Sequence, residues 1–149
     1  MVNLLVLGQA VSNVFDGEIN LDQKVLRGVS CATQIGYLSL FEHYNSMQVG
    51  SHYKNPTLPI FIICSESHYT VLFGTDRQTM DKALRKLPID LYYYDMLAGL
   101  HEETRLTISF SPATMSAKKQ SDLTPPLELV IKTKWSNCHV NWNGSEALL

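Results

Sequence analysis

Two apolar runs separated by a short polar break constrain most tightly how this chain can fold. The runs Ile60–Cys64 and Tyr69–Phe73 are rich in β-branched and aromatic residues, and only the polar segment 65–68 stands between them. A short apolar run bounded by turn residues is typical of a buried strand, and a break of this length leaves room only for a tight reversal. The two runs therefore predict an antiparallel pair of strands, with His68 at the start of the second one.

The rest of the pattern predicts one helix and three further strands. In Ile35–Asn45 the apolar residues recur at the i, i+3, i+4, i+7 spacing of an amphipathic helix. Two later segments are rich in Ile, Leu and Tyr or other strand formers, and a third alternates apolar with charged residues; the three predicted strands are Ile89–Tyr94, Arg105–Phe110 and Leu127–Trp135. The expected fold class is therefore α+β, in which a helix precedes a mainly antiparallel sheet.

Segments rich in Gly, Pro and polar residues connect these elements. Val49–Pro59 is predicted as a loop, Thr75–Lys86 as a polar connection with some helical character, and Ser111–Pro126 as a loop dense in Ser, Thr, Lys and Pro. At the start, Val2–Leu7 is compatible with a strand or a buried helix segment, and the turn-rich segment 8–17 follows it. Because chain termini are usually exposed, this apolar start favours a fragment or a truncated isoform.

Charge, cysteine spacing and hydropathy argue against several classes of protein. With 149 residues, 17% of them charged, and a net charge of −2, the chain shows no basic patch for nucleic acid or an anionic membrane. Its cysteines, Cys31, Cys64 and Cys138, are too widely spaced for a zinc motif or a disulfide framework. No metal or cofactor is therefore expected, and a reducing compartment, cytoplasmic or nuclear, is favoured. No apolar run approaches the roughly 18 to 20 residues that cross a bilayer, so no membrane partner is expected.

A histidine and a carboxylate stand at strand ends that an antiparallel sheet would bring together. His68 opens the second strand of the pair, and Asp95 directly follows the next predicted strand. Since sequential strands are usually neighbours, the carboxylate could accept a hydrogen bond from one imidazole nitrogen and leave the other as a general base. A plainer interpretation is also compatible with this spacing: a histidine bonded to a nearby carbonyl, and an aspartate that caps a turn.

Several long stretches of the chain carry a resemblance to a known protein family. They are LGQAVSNVFDG, IGYLSLFEHYNSMQVGSHYKNPTLPIFIICSESHYTVLF, DLYYYD, ETRLTI and PPLELVIKTKWSNCHVNWNGSE. They resemble the C-terminal half of the catalytic domain of MINDY-family deubiquitinases, with most similarity to the MINDY-4 branch. The resemblance implies a papain-like cysteine peptidase that removes lysine-48-type ubiquitin, with ubiquitin and polyubiquitin chains as partners. It also implies that the general base lies in a SESH or SETH motif, which makes His68 the base here.

The same resemblance implies a nucleophile that this chain does not match. The family's Cys lies in a Gly-rich PCG-type motif at a helix N-terminus, near a Gln that helps to bind the oxyanion; such a setting lowers a thiol pKa. None of the cysteines has that setting, and Gln34 is a poor substitute for the Gln. Residues 1–149 are therefore expected to be the C-terminal part of a MINDY-type catalytic domain, to carry only the general-base half of the site, and to be inactive alone.

This mismatch leaves two classes of function open. The chain is either part of an active deubiquitinase, as a fragment or short isoform, or a catalytically inactive MINDY-like protein that binds ubiquitin or acts as a scaffold. In either class, Asn13 and Asp16 of the SNVFDG turn are candidates to line a groove for an extended ubiquitin tail, although both residue types also favour turns for local reasons. A third possibility is that the isolated chain does not fold on its own, because the loss of an upstream helix would expose the sheet face it covers and leave an apolar surface prone to association.

Overall fold

The computed structural model describes residues 2–97, 102–110 and 124–147, and a six-stranded sheet organises them. The described strands are β1 Glu18–Leu21, β2 Lys24–Arg27, β3 Gly36–Ser39, β4 Ile60–Ser65, β5 His68–Phe73, β6 Ile89–Tyr94, β7 Thr104–Phe110 and β8 Cys138–Asn141. The described helices are α1 Val2–Leu7, α2 Leu40–His43, α3 Ser51–Lys54, α4 Thr79–Leu84 and α5 Pro126–Lys134. The α+β class expected from the sequence is therefore confirmed.

The main sheet has the order β3-β4-β5-β6-β7-β8 and is mainly antiparallel, as predicted. Only β3 and β4 run parallel; each later strand is antiparallel to the one before it. The predicted pair at the centre of the sequence is confirmed, since Ser65 of β4 lies opposite His68 of β5 and only residues 66 and 67 form the turn. Glu66 adopts a left-handed backbone conformation with φ 56°, which is how so short a reversal closes. Strands β6 and β7 are confirmed as well.

The predicted helix Ile35–Asn45 is wrong, because its first part is a strand. Gly36–Ser39 pairs with β4 as the first strand of the sheet, and only Leu40–His43 forms a short helix, with the Ser39 hydroxyl accepting from the Phe41 amide at 3.2 Å. All four residues of β3 are buried because both faces of the strand are covered. A strand buried on both faces is a continuous apolar run, which spacing alone does not distinguish from a buried helix segment.

The predicted strand Leu127–Trp135 is also wrong, because Pro126–Lys134 is a helix. A proline in the first turn fits a helix start, since the amide hydrogen it lacks would have no partner there. Leu127, Val130 and Ile131 are buried at i, i+3 and i+4 and face the core. Val130 is the residue that interrupts the apolar–polar alternation of a strand, and this interruption was the signal for a helix.

The connecting segments hold smaller departures from the predictions. The loop predicted at Val49–Pro59 contains α3, and the helical character predicted within Thr75–Lys86 is confirmed by α4. Val2–Leu7 is a helix, with the side chains of Leu4 and Leu5 exposed to solvent. The β1–β2 hairpin and β8 were not predicted. Most of the loop predicted at Ser111–Pro126 lies outside the described residues.

Two apolar clusters pack against opposite faces of the sheet, and the smaller one reaches only β3 and β4, because Tyr69, Val71 and Tyr94 on the same face of β5 and β6 are exposed. The larger cluster joins α5 and Ala83 of α4 to the sheet face that carries Leu72, Leu91 and Leu106. The smaller cluster packs the segment that precedes β3 against Tyr37 and Cys64 on the other face. His68, the first residue of β5, lies on the face of the larger cluster, because it is four positions before Leu72. Within the residues described, no helix is both long and apolar enough to cross a lipid bilayer.

Candidate functional site

The structure places the imidazole of His68 directly against the carboxylate of Asp95. The Nε2 atom of His68 lies 2.7 Å from Oδ2 of Asp95. His68 is the first residue of β5, and Asp95 follows the last residue of β6, so the antiparallel pairing brings these two ends together. Alternation places both residues on the same face, because Leu72, four positions after His68, lies opposite Tyr93, two positions before Asp95.

The contact determines which nitrogen of His68 can act as a base. An ionised carboxylate can only accept hydrogen bonds, so Nε2 carries the proton that Asp95 accepts. In the neutral ring Nδ1 then bears the lone pair, and it has no hydrogen-bond partner among the described residues. The His68 side chain is 35% exposed and that of Asp95 only 10%, so the imidazole is reachable while the carboxylate is shielded. This arrangement can take a proton from a group placed next to Nδ1.

Two further groups hold the carboxylate of Asp95 in place. The Leu97 amide donates to Oδ1 at 3.0 Å, and the Tyr93 hydroxyl lies 3.4 Å from Oδ2, the oxygen that also accepts from His68. Neither Tyr93 nor Leu97 was predicted as part of the site. Tyr93 had a usable signal, because in a strand it shares a face with a residue two positions later. The Leu97 amide belongs to a turn whose geometry the sequence does not specify.

Of the three cysteines, Cys64 is nearest to His68 along the sheet but points away from it. Cys64 lies opposite Tyr69 in the β4–β5 register, whereas Ser65 lies opposite His68. Side chains alternate between faces along a strand, so the Cys64 thiol is on the face opposite the imidazole. The residue is 2% exposed, and its Sγ donates to the Glu66 carbonyl at 3.4 Å. Cys64 is therefore a buried small side chain and not a partner of His68.

Cys31 lies at the other end of the sheet. Gly36, where β3 begins, is opposite Phe61, while His68 is opposite Ser65 at the far end of β4. Four residues of strand span about 13 Å. The chain before β3 is fixed even farther away, because the Thr33 carbonyl accepts from the Thr57 amide at 3.0 Å, ahead of β4. Cys31, two residues before Thr33, therefore does not reach the imidazole.

Cys138 is also at the end of the sheet away from the site. It lies opposite Phe110 of β7, beyond the position where Ile108 pairs with Ile89 at the start of β6. Asp95 lies past the other end of β6, six residues away, or about 20 Å of extended strand. Burial raises the pKa of the Cys138 thiol to about 11, the opposite of what a nucleophilic thiol needs. Cys138 is therefore a core residue.

Asn13 and Asp16, the predicted substrate-binding residues, come before β1 in the chain and are held by hydrogen bonds to other segments. The Asp16 carboxylate accepts from the amides of Ser51 and His52 and from the Ser51 hydroxyl, at 2.7, 3.1 and 2.6 Å, and so caps the start of α3. Burial raises the pKa of Asp16, but these hydrogen bonds outweigh it and hold the pKa below the usual 3.8. The Asn13 side-chain amide donates to the Arg27 carbonyl at 2.9 Å. Neither side chain is brought into contact with His68.

Among the residues described, no group of three or more His, Cys, Asp and Glu side chains is arranged to hold a metal ion. The groups that the structure brings together at the candidate site are the His68 imidazole, the Asp95 carboxylate, the Tyr93 hydroxyl and the Leu97 backbone amide.

Comparison with known proteins identifies the family. The family described as "Deubiquitinating enzyme MINDY-3/4, conserved domain" matches residues 1–144. The chain is 49% identical over its whole length to the "Probable ubiquitin carboxyl-terminal hydrolase MINDY-4" of Xenopus tropicalis and 47% identical to that of Homo sapiens, covering 20% of each relative. It is 42% identical to the "Ubiquitin carboxyl-terminal hydrolase MINDY-3" of Mus musculus over 76 residues, which are 51% of this chain and 17% of the relative.

No solved structure matches the chain. The chain spans about a fifth of the length of the MINDY-4 relatives it matches. Since the family match covers residues 1–144 of 149, and the MINDY-4 relatives align with the chain from end to end, the chain belongs to the MINDY-3/4 family of deubiquitinating enzymes.

Proposed function

We propose that this chain supplies the general base of a papain-like cysteine isopeptidase that removes lysine-48-linked ubiquitin from proteins and polyubiquitin chains. The observation that carries the proposal is the 2.7 Å contact between His68 Nε2 and Asp95 Oδ2, with Nδ1 directed to no described partner. The relatives are named as ubiquitin carboxyl-terminal hydrolases, which supports ubiquitin as the substrate. The unpaired state of all the cysteines fits a cytoplasmic or nuclear location.

In the proposed reaction His68 transfers protons and Asp95 keeps the imidazole oriented. Nδ1 of His68 takes the proton of a cysteine thiol, and the thiolate attacks the carbonyl carbon of the isopeptide bond. The imidazolium then gives this proton to the lysine amine, which departs. The carboxyl-terminal carbonyl of ubiquitin stays bound to the cysteine as a thioester. Water, deprotonated by the same nitrogen, hydrolyses the thioester and restores the thiol. Asp95 stabilises the imidazolium at each stage because its charge lies against Nε2.

The nucleophile is proposed to come from a segment outside these 149 residues. All cysteines of the chain lie within the described residues, and each is on the wrong face or at the wrong end of the sheet. The chain covers 20% of each MINDY-4 relative, so a catalytic domain of that kind has other segments that can supply a cysteine. The chain is accordingly proposed to be the C-terminal part of a MINDY-type catalytic domain with a papain-like arrangement.

A second candidate function is a catalytically inactive protein that binds ubiquitin or acts as a scaffold. The observation that favours it is the same lack of a reachable thiol next to His68. Under either function, contact of Asn13 and Asp16 with a ubiquitin tail stays a prediction. The hydrogen bonds that these residues make to Arg27 and α3 give them an architectural role in both cases.

A chimera tests the proposed function. In it the chain replaces the matching fifth of the Homo sapiens MINDY-4 relative, which supplies the rest of the polypeptide. Release of ubiquitin from lysine-48-linked and lysine-63-linked diubiquitin is followed on gels for the chimera and for the unchanged host. We expect the chimera to cleave the lysine-48 linkage at a rate comparable to that of the host, and in preference to the lysine-63 linkage.

The host provides the control for this experiment. A host that cleaves diubiquitin, together with a folded chimera that does not, would overturn the proposed function and favour the inactive binding protein. Cleavage of both linkages at equal rates would refute the lysine-48 preference while supporting the isopeptidase. A host and a chimera that both bind ubiquitin without cleaving it would also favour the second candidate.

A further inference from the structure

A series of hydrogen-bonded, buried polar side chains continues from Asp95 into the sheet. The hydroxyl of Tyr93 lies 3.4 Å from Asp95 Oδ2, and the same oxygen lies 2.7 Å from His68 Nε2. Tyr93 is only 7% exposed and belongs to the larger core cluster. A tyrosine hydroxyl inside a core is costly unless it is hydrogen-bonded, so its position against a carboxylate that already binds an imidazole needs a physical explanation.

Thr70 is the next side chain in this series. Thr70 is buried on β5, two residues after His68 and therefore on the same face. Burial raises the pKa of Tyr93, a hydrogen bond from the Thr70 side chain lowers it, and the negative charge of Asp95 raises it. The tyrosine hydroxyl has one proton and can accept as well as donate. It therefore accepts from Thr70 and donates to Asp95.

We propose that Tyr93 is a positioning residue that, supported by Thr70, holds the Asp95 carboxylate in the orientation in which Oδ2 accepts from His68 Nε2. The Leu97 amide fixes the other oxygen at 3.0 Å, so the carboxylate is held through both of its oxygens. Rotation of the carboxylate would break the contact to the imidazole. With the carboxylate fixed, the proton of the neutral imidazole stays on Nε2 and Nδ1 keeps the lone pair.

The catalytic meaning of this role rests on the proposed function, whereas the geometric effect on His68 does not. Both are measurable in separate experiments. The geometric effect appears in the Nε2 proton of His68, which gives a low-field proton resonance when it is bound to a carboxylate. Its rate of exchange with water reports how well the bond to Asp95 is maintained. This rate is measured on the 149-residue chain without any turnover.

Tyr93→Phe removes the hydroxyl and retains the ring. We expect the Nε2 proton of His68 to exchange with water about tenfold faster in this variant, because a hydrogen bond to a charged group is lost. Tyr94→Phe is the matched control: Tyr94 is the last residue of β6, directly before Asp95, but lies opposite Val71 on the other face, so the same deletion should leave the rate within about twofold. An unchanged rate in a folded Tyr93→Phe variant would overturn the proposal.

Thr70→Val provides a second route if Tyr93→Phe does not fold. It removes the donor to the Tyr93 hydroxyl with little change in volume, and we expect a smaller acceleration in the same direction; no acceleration would count against the proposal.

In the chimera, Tyr93→Phe is expected to lower kcat about tenfold with KM unchanged. If the proton exchange responds but the chimera never cleaves ubiquitin, the proposed function fails and the positioning role stands. If His68 is needed for turnover but Tyr93→Phe changes neither exchange nor kcat, only the positioning role fails.

Discussion

Replacement of His68 by alanine in the chimera is expected to lower kcat for lysine-48-linked diubiquitin by about 10²- to 10⁴-fold, the usual contribution of a positioned general base. The substitution removes the only imidazole nitrogen that the described structure places beside the Asp95 carboxylate. Affinity for polyubiquitin is expected to stay within about twofold, because the partly exposed His68 packs into no part of the two core clusters. Single-turnover rates and a separate binding titration distinguish the two effects.

His139→Ala provides the matched control for this substitution. His139 is exposed on β8, opposite Ser109 of β7, and lies well away from Asp95. Its removal should leave turnover and binding unchanged. Near-normal turnover of the His68→Ala chimera would contradict the assignment of His68 as the base. Equal losses in both histidine variants would indicate damage to the fold and not to the site.

The second large effect concerns stability: Leu106→Ala is expected to lower the free energy of unfolding by about 2–5 kcal/mol. Leu106 is fully buried on β7, opposite Leu91 of β6, at the centre of the larger cluster. Truncation leaves a cavity that the neighbouring side chains cannot fill, because β7 is held by hydrogen bonds to β6 on one side and β8 on the other. Urea unfolding should show a lower midpoint with an unchanged slope.

Leu84→Ala is the control for this core substitution. Leu84 ends α4 and is 77% exposed, so the same truncation should cost less than about 0.5 kcal/mol. A difference of less than about 1 kcal/mol between the two variants would contradict the placement of Leu106 in the packed core, between β6 and β8.

The parts of the fold that were predictable are those whose pattern admits one interpretation. The strands on either side of the turn at residues 66 and 67 are short, apolar and separated too narrowly for anything but a hairpin. Gly36–Ser39 was not predictable in this way, because a strand covered on both faces has no alternation. For α5 the signals were present, in Pro126 at the helix start and in the spacing of Leu127, Val130 and Ile131, but the charged residues between them resembled the polar face of a strand.

The same distinction applies to the candidate site, part of which was predictable from the sequence and part of which required the structure. Strand order was enough to predict that His68 and Asp95 meet, because neighbouring antiparallel strands place their opposite ends side by side. Tyr93 could have been added in the same way, because it lies two positions before Asp95 and shares its face, whereas the Leu97 amide belongs to a turn whose geometry the sequence does not specify. The separation of each cysteine from His68 also required the structure, since Cys64 is near in the chain and lies on the other face.

Covalent labelling most directly tests whether this chain supplies the base and not the nucleophile. The 149-residue chain, shown to be folded by a cooperative urea transition, is incubated with ubiquitin that carries a thiol-reactive group at its C-terminus, and the intact mass is read. We expect no adduct with the chain alone and one ubiquitin per molecule with the chimera. A ubiquitin adduct on Cys31, Cys64 or Cys138 of the folded chain would show that a working nucleophile lies within it, and would contradict the division of the site described above.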